Sequence, residues 1–196
     1  MVGDRWSLLV VRELLVGPKR YSDVLSGLDG VATNLLAQRL RSLEDTGVVE
    51  RRVATNPNGI VYALTPWGAQ LRETVEALVR WSTPLMALGQ GDDAFQAEWL
   101  VLALRALLPD RTSKRPIRVH FAVAGALIGL RIDQAGTRVE PRPTDQADAV
   151  LDASPTVILG LAAGALTVEQ AVAAGSLRGS QRSLDTVFTS HSVIDD

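Results

Sequence analysis

The sequence predicts an α+β chain in two parts. The N-terminal part is mainly α-helical with one β-hairpin, and the C-terminal part sets helices on one side of an antiparallel sheet. Three observations predict this. Apolar residues recur at helical spacing up to about residue 88, broken once by a strand–turn–strand pattern. Strict alternation begins at 117, with Ile117, Val119, Phe121 and Val123 on one side and Arg118 and His120 on the other. Charge also divides: residues 1–90 carry ten basic and nine acidic side chains, and residues 91–196 carry ten and thirteen. The expected domains are 1–88 and 94–196, joined by the small polar stretch Gly89-Gln90-Gly91-Asp92-Asp93 as a linker over 89–93.

Composition removes several functions. Of 196 residues, 46% are hydrophobic and 21% charged, as in an ordinary globular protein. A net charge of -2 excludes a protein that is basic throughout, but leaves room for a local basic patch. Cys is 0, which removes disulfides, thiol catalysis, thiol redox sensing and cysteine-ligated metals. With two His, a zinc site would need a carboxylate-rich ligand set, so neither metal nor cofactor is expected. Apolar runs such as Leu100 to Leu104 and Val157 to Ala163 fall far short of the roughly 18 residues that span a bilayer. Asp4 and Arg5 sit where the apolar region of a signal peptide would build up. The expectation is a cytoplasmic protein with no membrane partner.

The first helix is expected from about Trp6 to Leu15, stopped by Gly17-Pro18. Ser22 is positioned to cap a short helix through Leu28, and Asp29-Gly30 makes a turn. A third helix is expected from Thr33 to Asp45, with Thr33 as cap and Gly47 at its exit. At about 100° per residue, Leu36, Leu40 and Leu43 form one stripe of that helix and Asn34, Gln38 and Arg41 the opposite one. Asn and Gln can pair with adenine edges, and Arg with guanine or a phosphate, so the polar stripe suits a major groove. Taken alone, it suits a solvated helix face better, as any surface helix carries polar residues.

Strands over Val48–Ala54 and Gly59–Leu64 come next, joined by Thr55-Asn56-Pro57-Asn58. The hairpin tips the balance. Arg51 and Arg52 open it, and Asn58 belongs to a tight polar tip that could enter a minor groove. Helix, turn, helix and hairpin is the order of a winged helix-turn-helix. Thr65-Pro66 then starts a helix with Leu71, Val75, Leu78, Ser82 and Leu85 on one face, flanked by Trp67 and Trp81, and Pro84 should bend or end it. That face would pair with its twin in a homodimer, or pack within the chain.

The run from Gly3-Asp4-Arg5-Trp6-Ser7-Leu8-Leu9 to Leu15 resembles the opening signature of the HxlR family of bacterial winged-helix transcription regulators. Asn34-Leu35-Leu36-Ala37-Gln38-Arg39-Leu40 resembles that family's recognition helix, and Gly47–Arg52 with Tyr62-Ala63-Leu64-Thr65 resembles its wing strands. The resemblance covers about 1–88. It implies double-stranded operator DNA as partner, with Thr33, Asn34, Gln38, Arg39, Arg41, Arg51, Arg52 and Asn58 at the DNA. Ala32-Thr33 stands where the family tends to have Ser-Pro. The extra N-terminal segment of such regulators, often bearing a cysteine, is expected to be missing here.

In the second part, a helix from about Ala94 to Leu108 precedes strands at Ile117–Val123, Ala126–Asp133, Thr137–Arg142 and Ala147–Leu151. Ser154-Pro155 starts one helix, the Thr167…Gln170 capping box another, and Leu184, Val187 and Phe188 mark a last one after a brief strand near Leu177. Gly129-Leu130-Arg131-Ile132-Asp133, Asp152-Ala153-Ser154-Pro155 and the run Ala171 to Ser180 resemble the sterol carrier protein 2-like (SCP2-like) fold. That family carries hydrophobic molecules in an apolar tunnel. The resemblance implies a pocket for a hydrophobic small-molecule effector, with Trp99, Phe121, Leu130, Ile158 and Leu161 as lining. A fully packed core would use the same residues. His120, on the mixed strand face, reads as a surface histidine, and no catalytic constellation accompanies it or His191.

The expected function is a non-enzymatic, dimeric DNA-binding regulator whose second domain senses a hydrophobic effector. The alternative is a carrier of lipid-like ligands whose winged helix serves dimerisation or protein binding.

Overall fold

A computed structural model describes residues 3–55, 58–86 and 96–188. The expected linker 89–93, the tip residues Asn56 and Pro57, and His191 lie outside the described residues. The chain divides into two compact units, Met1–Leu78 and Val79–Asp196.

The first unit contains α1 (Arg5–Leu15), α2 (Tyr21–Ser26), α3 (Thr33–Asp45), β1 (Val49–Thr55) and β2 (Asn58–Leu64). Asp4 caps α1, its carboxylate accepting from the Trp6 and Ser7 amides at 3.0 and 3.1 Å. Ser22 does not cap α2. The Asp23 carboxylate reaches back to the Arg20 amide at 3.2 Å, so the helix begins at Tyr21 and Ser22 lies within its first turn. Thr33 likewise is the first residue of α3 rather than its cap, which is Ala32. The Asn34 side chain accepts from the Leu35 amide at 2.8 Å and supplies a polar partner that a cap hydroxyl would have given. Leu36, Leu40 and Leu43 are buried, as are Val10, Val11 and Leu14 of α1.

β1 and β2 pair antiparallel from Val49↔Leu64 to Thr55↔Asn58. A third segment steadies them, because Lys19 and Tyr62 exchange both backbone hydrogen bonds at 3.0 and 2.8 Å. Thr65 caps the next helical turn, its hydroxyl accepting from the Gly68 amide at 3.0 Å. That turn is 3₁₀, over Gly68–Gln70, and leads into α4 (Leu71–Met86). A Cβ on Gly68 would stand 2.1 Å from the Val48 carbonyl oxygen, so only glycine allows this approach. Pro84 does not stop α4, which runs two residues further to Met86.

The second unit has α5 (Ala97–Leu107), β3 (Ile117–Val123), β4 (Ala126–Asp133), β5 (Gly136–Pro141), β6 (Ala149–Asp152), α6 (Pro155–Ala162), α7 (Val168–Ala173), β7 (Ser176–Gly179) and α8 (Gln181–Phe188). α5 stops before Pro109, with Leu108 already extended, as a residue preceding proline prefers. The Thr167–Gln170 capping box forms at 3.2 and 2.9 Å. Val119, Phe121, Ile128, Leu130 and Leu151 line one sheet face, where they pack with Leu104, Ile158 and Leu184 of the helices.

The strand order is β5-β4-β3-β6-β7, and the sheet is mixed, not wholly antiparallel, because β6 runs parallel to β3. The cause is the connection after β5. Instead of reversing at the edge, residues 142–148 cross the sheet's second face. Pro143 lies over Gly129, where a Cβ would come 2.7 Å from the proline Cβ. Asp148 secures the crossing: its amide donates to the Arg118 carbonyl at 2.8 Å, and its carboxylate accepts from the Arg118 amide at 2.7 Å. His120 is therefore buried, contrary to the surface position expected of it, with Nε2 3.5 Å from Asp145 Oδ1. Asp145 also holds the Arg118 guanidinium at 2.7 Å.

Candidate nucleic-acid interface

The polar stripe of α3 emerges as the sequence pattern implies. Asn34, Gln38 and Arg41 are exposed, while Leu36, Leu40 and Leu43 on the opposite side are buried. Thr33 is exposed at the helix start, where its carbonyl accepts from the Tyr21 hydroxyl at 2.6 Å. That bond ties α2 to the first turn of α3 and fixes the angle at which the polar stripe leaves the body. Arg41 has no ion-pair partner among the described residues.

The other candidate cations are held by acids. Arg39 Nε lies 3.2 Å from Asp4 Oδ1. The distance is that of an ion pair, but the Nε is buried without an aligned hydrogen-bond acceptor. Burial raises the Asp4 pKa, yet the Ser7 hydroxyl and amide, the Arg39 charge and the Trp6 amide outweigh it, and the carboxyl sits below its usual range. Arg51 makes a forked contact across to α3: its Nε is 2.7 Å and one Nη 2.8 Å from the two oxygens of Glu44. Its guanidinium also lies over the Tyr62 ring, 5.7 Å from the centroid. Hydrogen bonding and charge from Glu44 push the Arg51 pKa above its ordinary value. Arg52 Nε donates to Glu50 Oε1 at 2.7 Å.

Arg51 and Arg52 are neighbours in one strand, so their side chains leave opposite faces of the hairpin. Arg51 faces α3, and Arg52 turns away from it. Beyond Arg51 on the same face, the directly paired Val53 and Ile60 are 81% and 57% exposed. Asn58 opens β2, and its side chain lies outside the described residues. The structure thus brings Asn34, Gln38 and Arg41 onto one surface, and attaches Arg39, Arg51 and Arg52 to the acids Asp4, Glu44 and Glu50, the last pair on the hairpin face away from α3.

Several participants carry little sequence signal. Glu44 and Arg51 are seven positions apart across a helix exit, and nothing in their spacing announces a contact. Tyr21 opens a helix too short to show periodicity. Arg20 places its guanidinium against Gly59, 3.3 Å from where a Cβ would sit. No cap is predicted for the first helix from its sequence, although an acid just before a helical run, as Asp4 is, is a capping signal.

In the second unit, Phe121, Leu130, Ile158 and Leu161 are all buried in one apolar cluster, and Trp99 on α5 is half-buried. Among the described residues no group of three or more His, Cys, Asp or Glu side chains could hold a metal ion, and no helix is long and apolar enough to cross a membrane.

Comparison with known proteins bears on the first unit. A model of the HxlR-like helix-turn-helix family matches residues 1–89. The HTH-type transcriptional regulator YodB of Bacillus subtilis is 31% identical over 83 residues, which span 42% of this chain and 74% of YodB. The uncharacterized HTH-type transcriptional regulator YtfH of Escherichia coli is 38% identical over 81 residues, spanning 41% of this chain and 64% of YtfH. Among solved structures, the reduced form of YodB aligns with 30% identity and a TM-score of 0.39, covering 45% of this chain and 88% of that one.

Proposed function

The chain belongs to the HxlR-like helix-turn-helix family, and we propose that it is a dimeric transcription regulator that reads operator DNA with α3. The observation that carries this reading is the division of α3 into a buried leucine stripe and an exposed Asn34–Gln38–Arg41 stripe. Those three side chains read base edges in the major groove. Thr33 contacts the backbone, Arg39, Arg51 and Arg52 meet phosphates or the minor groove, and the hairpin tip at Asn58 enters the minor groove.

Dimerisation uses the outer face of α4, where Leu78 is 44% and Trp81 75% exposed. Two copies related by a two-fold axis would present two reading helices to two half-sites. The second unit is an SCP2-like sensor for a hydrophobic small molecule, with Phe121, Leu130, Ile158, Leu161 and Trp99 nearest the ligand. Its aliphatic interior beneath four helices supports this assignment. The effector acts by altering the spacing of the two reading helices, and hence DNA affinity.

The test is selection of duplexes from a random pool by the intact protein, repeated with Gln38→Ala. A recovered consensus in two half-sites is expected, and Gln38→Ala should relax one position of each at a cost of about 1–3 kcal/mol. Recovery of no consensus by the wild-type protein would refute operator reading and favour the carrier function.

A further inference from the structure

The cations around the reading helix fall into two kinds. Arg41, at the C-terminal end of the exposed stripe, has no ion-pair partner among the described residues. Arg39 on α3 itself, Arg51 on the hairpin face toward α3 and Arg52 on the hairpin's other face are each matched with a carboxylate: Asp4, Glu44 and Glu50. Asp4 has separate work as the α1 cap. Glu44 and Glu50 pair with no other cation among the described residues, and neither arginine needs neutralising for burial, since their side chains are 50% and 52% exposed.

We infer that Glu44 and Glu50 are specificity-determining residues that restrain Arg51 and Arg52, so that each meets a phosphate only when the duplex is docked in register. This rests on the DNA-binding function proposed above. An arginine without a partner samples many rotamers and captures any phosphate that comes near, which is the salt-sensitive, sequence-independent part of binding. A carboxylate partner changes both properties. It cancels the net charge seen from a distance, so random encounters with DNA gain less. It also fixes the guanidinium in one orientation, leaving its remaining N–H donors aimed in one direction.

Arg51 is the stronger case. The two-pronged contact to Glu44 and the stacking on Tyr62 hold it between α3 and the hairpin. A phosphate can share its outer N–H groups only if the groove already seats α3. Arg52, on the opposite hairpin face, is held by one hydrogen-bonded neighbour two residues back. Its restraint is lighter and its release by substitution is cleaner.

The experiment uses the full chain as wild type, Glu44→Gln, Glu50→Gln and the double variant. Binding to two duplexes is followed by fluorescence anisotropy over a range of salt: one of random sequence, and one selected from a pool by the wild-type protein. Glutamine keeps the shape and removes the charge. Affinity for the random duplex should rise about two- to fivefold per variant, the fold equivalent of an exposed ion pair. The salt dependence should steepen by up to about one ion per freed arginine. The ratio of selected to random affinity should fall.

A merely structural role for Glu44 would weaken both duplexes together and leave their ratio intact, and that result would overturn the assignment for Glu44. Glu50→Gln removes an exposed carboxylate and tests the same idea without that ambiguity. If it leaves both the random-duplex affinity and the salt slope unchanged, restraint by acids is wrong. Wild-type protein that selects no duplex from the pool and does not bind the random one overturns the DNA-binding function itself, and this inference with it.

Discussion

Replacing Glu13 by alanine should loosen the whole first unit. Its side chain is 0% exposed, in the last turn of α1, and lies between two cations. Oε1 lies 3.0 Å from an Arg12 Nη, and Oε2 lies 2.8 Å from Lys19 Nζ. Gly27 leaves the space, since a Cβ there would stand 2.5 Å from Oε2. Removing one member of a buried ion pair costs about 3–5 kcal/mol, chiefly because the other is left uncompensated. Here the partners keep 25% and 11% exposure and regain some hydration, which lowers the expected loss to about 2–4 kcal/mol. Glu13→Gln keeps an acceptor and the shape, so its loss should be about 1–2 kcal/mol.

Native-state hydrogen exchange on the full chain separates this loss from the second unit. Amides of α1, α3 and β2 should lose protection by the stated amounts, because Lys19 links Glu13 to the Tyr62 backbone. Amides of β3, β4 and β6 should not change. Protection in α3 that stays within about 0.5 kcal/mol of wild type, the usual range of a neutral surface change, would refute the reasoning.

Three further outcomes are expected. Gly68→Ala drives a Cβ into the Val48 carbonyl and should cost about 2 kcal/mol or more; a thermal midpoint equal to wild type would contradict that close approach. Ala124 and Gly125 both have positive φ in the two-residue turn between β3 and β4, so Ala124→Asn should stabilise the second unit by about 1 kcal/mol in urea unfolding, and a loss of stability would count against the turn geometry. The Asp4 carboxyl is held below its usual range when folded, so it contributes stability above the unfolded value of about 4 and loses it as pH falls through the lower folded value. Asp4→Asn should therefore be less stable than wild type at neutral pH, and the gap should close on acidification; a gap independent of pH would exclude the ionised cap.

The amphipathic elements were legible because their periodicity is strong. α3 begins and ends where the Leu36–Leu40–Leu43 stripe and Gly47 set it, and β3 and β4 match their alternation to the residue. Caps were less legible. Ser22 and Thr33 are good capping residues on general grounds, but the Asp23 carboxylate takes the Arg20 amide and the Asn34 side chain the Leu35 amide, so the helices start elsewhere than those residues suggest. The parallel pairing of β6 was hidden, because it depends on a crossing that only Gly129 permits and that no local pattern encodes. The burial of His120 comes from the same crossing. At the candidate interface, the division of α3 into an exposed polar stripe and a buried leucine stripe was visible from helical spacing alone. The acid partners of Arg39 and Arg51 were not, since Asp4 and Glu44 come from other elements than the arginines they hold.

The crossing also sets an order of assembly. β3, β4 and β5 succeed one another through tight turns and can pair as soon as they leave the ribosome. The strand that covers the other edge of β3 comes later, after the chain has traversed the sheet. Until then β3 offers an open row of backbone donors and acceptors beside an apolar face, a surface prone to pairing with another chain. Slowed synthesis between residues 123 and 152 should thus be a hazard to the yield of folded protein, whereas a pause after β7 should be harmless.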